Sequence, residues 1–527
     1  MKLPIGISTF RKIIEGGYVY VDKTEYTLNL IENHDYVFLS RPRRFGKSLL
    51  CSTLKEIFSG ERELFKGLAI YDKYDFPSYP VIHISFGGVR DTERLKEVLL
   101  YQLEIAQGEL DVECRHRESP SICLSELIRK SCAKYDSKVV LLIDEYDKPI
   151  LDNVDQLHVA RKIRETLKTF YTEIKENDQY LRFVLLIGVT KFAKVSIFSG
   201  LNNLDDISLD APYATLLGYT QGELETVFGP FLRGADMEKI RDWYNGYNFN
   251  GEPVYNPFDI LFFISKGFKF DNYWFSTGTP TFLMKLLRER EYFLPELEHL
   301  RAGKELIDTF DIEDVSLEPL LFQSGYLTLD RIEEDEFTGL DFLLRVPNRE
   351  VQVSLNNIFI EFFTGTRKYL REKRGIINCL IKGDMEGLKR ALFSLYAGIP
   401  YNYFIKNNMD KYEGYYASVF YAAIASLGVK IIHEDVTNRG RIDLAIEIKD
   451  RIYVIEFKVT DREQAGKGDG AQKGNGLKNR DDVSPLRQIK EKKYYEKYLG
   501  MGKKVYLVGI LFDRKARNIG GFECEEI

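Results

Sequence analysis

The chain has 527 residues, 44% of them hydrophobic and 29% charged, which excludes a single compact domain and fits about two to four globular ones. A formal net charge of −6 excludes a global basic field, so any nucleic-acid contact must rest on local patches. No apolar run approaches a membrane span, and the opening MKLPIGISTF lacks the apolar core of a signal peptide. Cys51, Cys114, Cys123, Cys132, Cys379 and Cys524 have neither zinc nor disulfide spacing, and the six histidines add no metal cluster. The expectation is a cytoplasmic protein with reduced, mostly buried thiols and no membrane association.

The first patterned stretch, residues 18–24 (YVYVDKT), predicts a short strand, with Asp22 or Thr24 capping a helix over 25–32. A second apolar run, residues 36–39, breaks into RPRRFGKS and at once into an amphipathic helical run over 49–58. Strand, loop, Gly46-Lys47-Ser48 and helix are the parts of a phosphate cradle. Backbone N–H groups at the helix start face the anion, the Lys47 ammonium adds charge, and the Ser48 hydroxyl completes the shell of a magnesium ion. Arg41 stands where the G-x-x-x-x-G-K-[ST] pattern has its first glycine, and Arg43, Arg44 and Phe45 fill the loop. The two arginines suit either phosphate contact or pairing with surface acids. Taken alone, Gly-Lys-Ser is equally a helix start capped by a small residue.

A strand over 80–86 and a helix over 91–110 come next, then the unbroken apolar run 139–143, which closes on Asp144-Glu145. Such a run suits a strand buried on both faces of a parallel sheet, with its acids at the carboxyl end where open α/β sheets bind ligands. Asp144 is placed to hold Mg²⁺ together with Ser48, and Glu145 to orient or deprotonate water; an N-cap pair is the plainer alternative. A further buried strand, 183–189, ends at Thr190-Lys191, either of which suits a contact to the terminal phosphate or an ordinary loop role.

The ordered set PIGISTF, YVDKT, RPRRFGKS, LLIDEYD and SGLNNLDDISL, followed by GYTQGEL, WYNGY and YNP, resembles the AAA-ATPase-like family of prokaryotic proteins. In that family RPRRFGKS is the usual form of the loop. The resemblance therefore implies that Lys47 and Ser48 contact nucleotide and magnesium, and that Asp144 and Glu145 are the Walker B pair. It covers roughly the first half of the chain.

The aromatic cluster around Trp243, Tyr247 and Trp274 reads as core, or alternatively as a small lid over the nucleotide. Residues 287–400 carry no catalytic constellation and read as a helical connector with short strands near 325–330 and 342–347. Beyond residue 401, a helix over 411–427 with Glu413 near its start precedes a strand over 429–434. Then follow GRIDLAIEI, the turn KDR and IYVIEFKV, in which alternation sets Asp443 opposite Ile442, Leu444, Ile446 and Ile448 and puts Glu456 and Lys458 on one face. A hairpin brings Asp443, Glu456 and Lys458 towards one spot, where the two carboxylates supply oxygen ligands for Mg²⁺ and the lysine orients a water. A salt-bridged hairpin face is the plainer reading.

This D…E-x-K pattern, with Gly440-Arg441 before it and Gln488-Ile489, Tyr494-Tyr495 and the strand 504–512 after it, resembles the PD-(D/E)xK nuclease superfamily. Residues 461–485 form a long Gly-rich segment whose Lys467, Lys473, Lys478 and Arg480 suit either a flexible insertion or a phosphate-tracking arm. Arg487, Lys490, Lys492 and Lys493 suit nucleic acid or a solvated helix face equally.

The expected fold class is α/β: a P-loop NTPase parallel sheet, a helical middle region and a C-terminal restriction-endonuclease-like α/β domain. The expected segments are 1–210 (P-loop), 211–290 (lid-like helical extension), 291–400 (connector) and 401–527 (nuclease-like). Together they imply an ATPase coupled to Mg²⁺-dependent cleavage of nucleic acid, DNA foremost, with ATP and Mg²⁺ as cofactors and a homo-oligomer left open. The alternative is an ATP-switched regulatory or DNA-binding protein whose nuclease-like domain is inactive.

Overall fold

The computed structural model describes residues 2–154, 156–191, 203–275, 300–303, 317–335, 339–364, 369–399, 413–437, 440–460 and 484–527. One compact unit takes in the described residues up to 351 and a second takes in those from 352.

The first unit is built on a five-stranded sheet: β1 (Tyr36–Ser40), β2 (Val81–Ser85), β3 (Val139–Asp144), β4 (Leu181–Gly188) and β5 (Asp205–Asp206), in the order β2-β3-β4-β1-β5. All its pairings are parallel. Every residue of β3 is buried, because helices cover both sheet faces; this is why VVLLI has no polar alternation. Strand β4 lies between β1 and β3, so the ends of the phosphate-loop strand and of the acidic strand are separated by one strand. The helices Thr92–Leu110, Pro120–Tyr135 and Leu157–Glu176 bury Leu99, Leu103, Leu127, Leu167 and Phe170 in the core beside β3.

Residues 18–24 do not form the expected strand. Tyr18 makes one isolated bridge, to Lys2, because the partner segment turns away after a single pairing. Neither Asp22 nor Thr24 is the cap of the next helix, Thr24–Asn33: Lys23 holds that position without a side-chain cap, and Asp22, one residue earlier, accepts from the Thr24 amide and hydroxyl. Cys114 and Cys123 are joined as a disulfide, which corrects the expectation that all thiols are reduced; their Cα atoms lie 5.3 Å apart. Three antiparallel strands, β6 (Leu300–Gly303), β7 (Thr328–Asp335) and β8 (Gly339–Arg345), complete this unit. Residues 287–298 of the expected helical connector and residues 199–202, the start of SGLNNLDDISL, lie outside the described residues.

The second unit is built on the sheet β13-β12-β11-β10-β9, formed by β9 (Lys430–Thr437), β10 (Gly440–Ile448), β11 (Arg451–Thr460), β12 (Lys504–Asp513) and β13 (Asn518–Glu526). Strands β9 to β11 are antiparallel, and β12 joins β11 in parallel. Lys449 takes a left-handed conformation (φ 51°) to close the short β10–β11 turn. Among the described residues, no helix is long and apolar enough to cross a membrane.

Leu141 is fully buried in the middle of β3. Leu141→Ala should destabilise the first unit by about 2–5 kcal/mol, read as a lower urea midpoint; an unchanged midpoint would contradict a packed central strand.

Candidate active sites

After Ser40 the chain must turn sharply before Lys47 opens its helix, and it does so with left-handed backbone at Arg44 (φ 68°) and Gly46 (φ 94°). Glycine takes that conformation without a Cβ clash. Arg41 turns inward instead. Its buried guanidinium donates to the carbonyls of Ser40 (2.9 Å), Ser208 (2.6 Å) and Tyr213 (3.1 Å) and lies 4.1 Å over the Phe249 ring. Burial pushes its pKa down to about 9, with Asp206 opposing. The residue at the first-glycine position thus braces the loop from inside the fold.

The loop is also held from behind. The Arg43 carbonyl accepts from the Trp274 indole (3.2 Å) and from Asn256 Nδ2 (3.3 Å). The Trp274 amide in turn donates to the buried carboxyls of Asp259 and Glu350, at 2.8 Å each. Tyr247 meets the Phe45 ring edge-on at 4.9 Å, so this part of the aromatic cluster buttresses the loop.

In front of the loop lies a cavity of about 610 Å³. Arg43, Arg44, Phe45, Gly46, Lys47 and Ser48 form one wall, Glu145, Asp147 and Lys148 another, and Ile7, Val21 and Leu217 an apolar end. Lys47 Nζ donates to the Arg41 (3.0 Å) and Pro42 (2.8 Å) carbonyls. Burial lowers its pKa to about 8, with Asp144, Asp147 and Glu145 opposing. Asp144, at the end of β3, is raised by burial, while Ser48 and Lys47 hold it down; its Oδ1 is buried without a hydrogen-bond partner. Glu145 lies beside it with φ 56° and pairs with Lys148 at 3.0 Å.

Thr190 is buried and does not reach the cavity wall. Its hydroxyl and amide both donate to Asp147 Oδ2, at 2.7 and 2.6 Å. Lys191 is paired with buried Asp206 at 2.9 Å. Asp147 is the residue that sequence reasoning missed. The available signal was the third acid of LLIDEYD, three residues past Asp144 at the N-cap of the next helix, Lys148–Leu151. Cys51 and His83 also converge on Asp144, which corrects the expectation that no His/Cys cluster forms.

In the second unit, alternation along β10 and β11 puts Asp443 and Ala445 on the face that carries Val454, Glu456 and Lys458. The helix Pro485–Lys492 packs on this face through Ile489. Gly509, the register partner of Glu456, lets the helix approach closely, since a Cβ there would lie 2.5 Å from the Leu486 nitrogen. Gln488 Nε2 can therefore donate to Glu456 Oε1, while Glu456 Oε2 is buried without a hydrogen-bond partner. Asp443 is exposed and accepts from the Phe457 amide at 2.8 Å. Burial, then repulsion from Asp443, pushes Glu456 up to about 8, with Lys492 and Lys458 opposing.

Of the other helix cations, Arg487 pairs with Glu491 at 2.6 Å, Lys490 with Glu525 and Lys493 with Glu496 at 3.5 Å, which is the solvated-face outcome. Lys467, Lys473, Lys478 and Arg480 lie outside the described residues, as do the side chains of Glu413 and Arg441.

A family model described as predicted AAA-ATPase matches residues 4–198, and one described as PD-(D/E)XK nuclease superfamily matches residues 411–522. The chain is 44% identical over 533 residues to an Azotobacter chroococcum mcd 1 protein described as "Uncharacterized protein in vnfD 5'region", covering 100% of this chain and 99% of that protein. The chain belongs to the AAA-ATPase-like family. It carries a PD-(D/E)XK superfamily domain at its C-terminal end, so both motif-based resemblances and the α/β fold class are borne out. No solved structure matches it.

The acid pair of this AAA-ATPase-like protein has a pH signature. The folded pKa of Glu456, about 8, stands above its ordinary 4.5, so the folded state holds more protons between those values. Stability of the metal-free second unit therefore falls as pH rises from 4.5 to about 8. Glu456→Gln should flatten that decline in thermal melts, and an equally steep decline in the variant would refute the assignment.

Proposed function

We propose that the protein binds and hydrolyses ATP in its first unit and cuts nucleic-acid phosphodiesters in its second, each site using Mg²⁺. One observation carries both halves. Each candidate site keeps a buried carboxylate oxygen without a hydrogen-bond partner, Asp144 Oδ1 in one and Glu456 Oε2 in the other. A buried acid left so is costly, and a cation is the natural partner. The donors present, Asp144 with the Ser48 hydroxyl in the first site and the Asp443 and Glu456 carboxylates in the second, are the hard oxygen set that Mg²⁺ takes.

In the first unit, the apolar end of the cavity receives the base and the loop amides and Lys47 receive the phosphates. Arg43 and Arg44, exposed at the rim, add positive charge. Ser48 and Asp144 hold the metal, and Glu145 orients the attacking water once Lys148 yields it. Asp147 fixes the end of β4 through Val189 and Thr190, keeping Thr190 in a positioning role.

In the second unit, Asp443 and Glu456 hold the metal. Bound Mg²⁺ lowers the pKa of a coordinated water and offsets charge on the phosphate. Lys458 orients that water and meets developing negative charge, while Gln488 fixes the Glu456 carboxylate so that its second oxygen stays available. The substrate proposed is DNA, met through local basic patches in a chain of net negative charge. Cytoplasmic residence and homo-oligomers are part of the same reading.

The test is cleavage of duplex and single-stranded DNA with Mg²⁺, with and without ATP, alongside ATP turnover. Lys458→Ala should lower cutting by about 10²-fold or more while leaving ATP turnover intact. Lys47→Ala should abolish turnover, and its effect on cutting reports coupling between the activities. ATP turnover without cutting by any form would overturn the nuclease half and favour an ATP-switched regulatory protein.

A further inference from the structure

We propose that Cys51, His83 and Asp144 form a binding site for a zinc-class transition-metal ion, and that its occupation withdraws Asp144 from Mg²⁺. The three side chains come from three elements. Cys51 lies one helical turn past Lys47 and Ser48, on the helix Lys47–Phe58. His83 lies in β2, in register with Leu142 of β3, and Asp144 follows two residues later on the same sheet face. One sulfur, one imidazole nitrogen and one carboxylate oxygen all lie within 4.8 Å of one another. That is close to the spacing of ligands around a tetrahedral zinc ion, and a shift of about 1 Å closes it.

The surroundings leave these donors in need of a partner. His83 Nε2 and Asp144 Oδ1 are both buried and both lack a hydrogen bond, while Cys51 is fully buried. A thiolate, a carboxylate and a neutral imidazole together carry two negative charges, which a divalent ion cancels; this suits an enclosed place. As the ion binds, the Cys51 S–H bond breaks, its proton leaves to solvent and a sulfur–metal bond forms, with no change of oxidation state. Sulfur and imidazole donors select zinc-class ions, whereas Mg²⁺ would take the same Asp144 oxygen together with the Ser48 hydroxyl. The consequence for hydrolysis rests on the ATP reading above, whereas the binding site does not.

The test uses full-length protein stripped by a chelator, kept free of Mg²⁺ and titrated with Co²⁺. Wild type should take up one equivalent with a thiolate-to-cobalt absorption band that Zn²⁺ displaces. Cys51→Ser should lose the band, and His83→Ala should weaken binding by roughly tenfold or more. Both are checked for native circular dichroism, with Cys51→Ala as the substitute if the serine variant unfolds. Joint replacement of Cys132, Cys379 and Cys524 should leave the band intact. A band that survives in Cys51→Ser, or one that vanishes in the joint variant, places the ion elsewhere and overturns the proposal. So does the absence of any band in folded wild type. Zn²⁺ should also inhibit Mg-ATP turnover by wild type, and Cys51→Ala, compared with its own zinc-free rate, should resist. Equal inhibition of both would overturn the competition. No ATP turnover at all would count against the nucleotide reading and leave the cobalt result standing.

Discussion

A carboxylate taken out of water needs a cation, a set of donors or a proton, and the two candidate sites answer this demand differently. Asp144 has the Lys47 ammonium nearby and the Ser48 hydroxyl beside it, and both oppose the rise that burial causes. Glu456 has a neutral amide donor, Gln488, and a second carboxylate facing it, so burial and repulsion act together. The lysines that oppose the rise do not cancel it. A proton is then what stabilises the buried Glu456 carboxyl, and a metal held there, as proposed above, would compete with it. Both acids sit at strand ends or hairpin positions where the sheet framework, not the side chain, determines their location.

That framework explains how the first site tolerates an arginine in place of the usual first glycine. The position needs no empty space, because Arg41 turns away from the loop and donates three hydrogen bonds to the backbone carbonyls of Ser40, Ser208 and Tyr213. The Trp274 indole and Asn256 then hold the Arg43 carbonyl from the other side. The Trp274 amide is itself fixed by Asp259 and Glu350, two buried acids that both rise, Asp259 through burial and Glu350 through burial and then the Asp259 charge. Close packing reaches the loop from the later part of the unit too, since a Cβ at Gly325 would meet Pro42 Cβ at 2.7 Å. Asn256, Asp259, Trp274, Gly325 and Glu350 are therefore part of what shapes the loop.

The sequence was most legible where local pattern and tertiary burial agree. The run before Asp144 announced a doubly covered strand, and the alternation of GRIDLAIEI and IYVIEFKV announced which side chains share a face. It was least legible where a residue's task is set by a distant partner. Thr190 looks like a residue that meets phosphate, yet Asp147, 43 positions earlier, engages its hydroxyl. Gln488 stands 32 positions from the glutamate it touches, and its role depends on Gly509 admitting the helix. Residues 18–24 have the composition of a strand but only one residue of partner, and a strand is a property of a pair. The pairing of Cys114 with Cys123 and the meeting of Cys51 with His83 follow from packing that cysteine spacing does not encode.

The position of Asp144 carries the last step. Asp144 is hydrogen-bonded to Ser48, whose hydroxyl is a hard donor. A thiol sulfur and an imidazole nitrogen, which are softer, lie within 4.8 Å of one another and of an Asp144 carboxylate oxygen. On the proposal above, both ions would draw on the one Asp144 oxygen that lacks a hydrogen-bond partner, Oδ1, and so would compete for it. Affinity for nitrogen and sulfur donors rises steeply from magnesium to zinc, so donor type and the abundance of each ion together decide which prevails. Magnesium wins where it is plentiful and zinc is scarce. The fold itself supplies the means for the balance to tip, since Cys51 and Ser48 lie one turn apart on the helix that the phosphate loop begins.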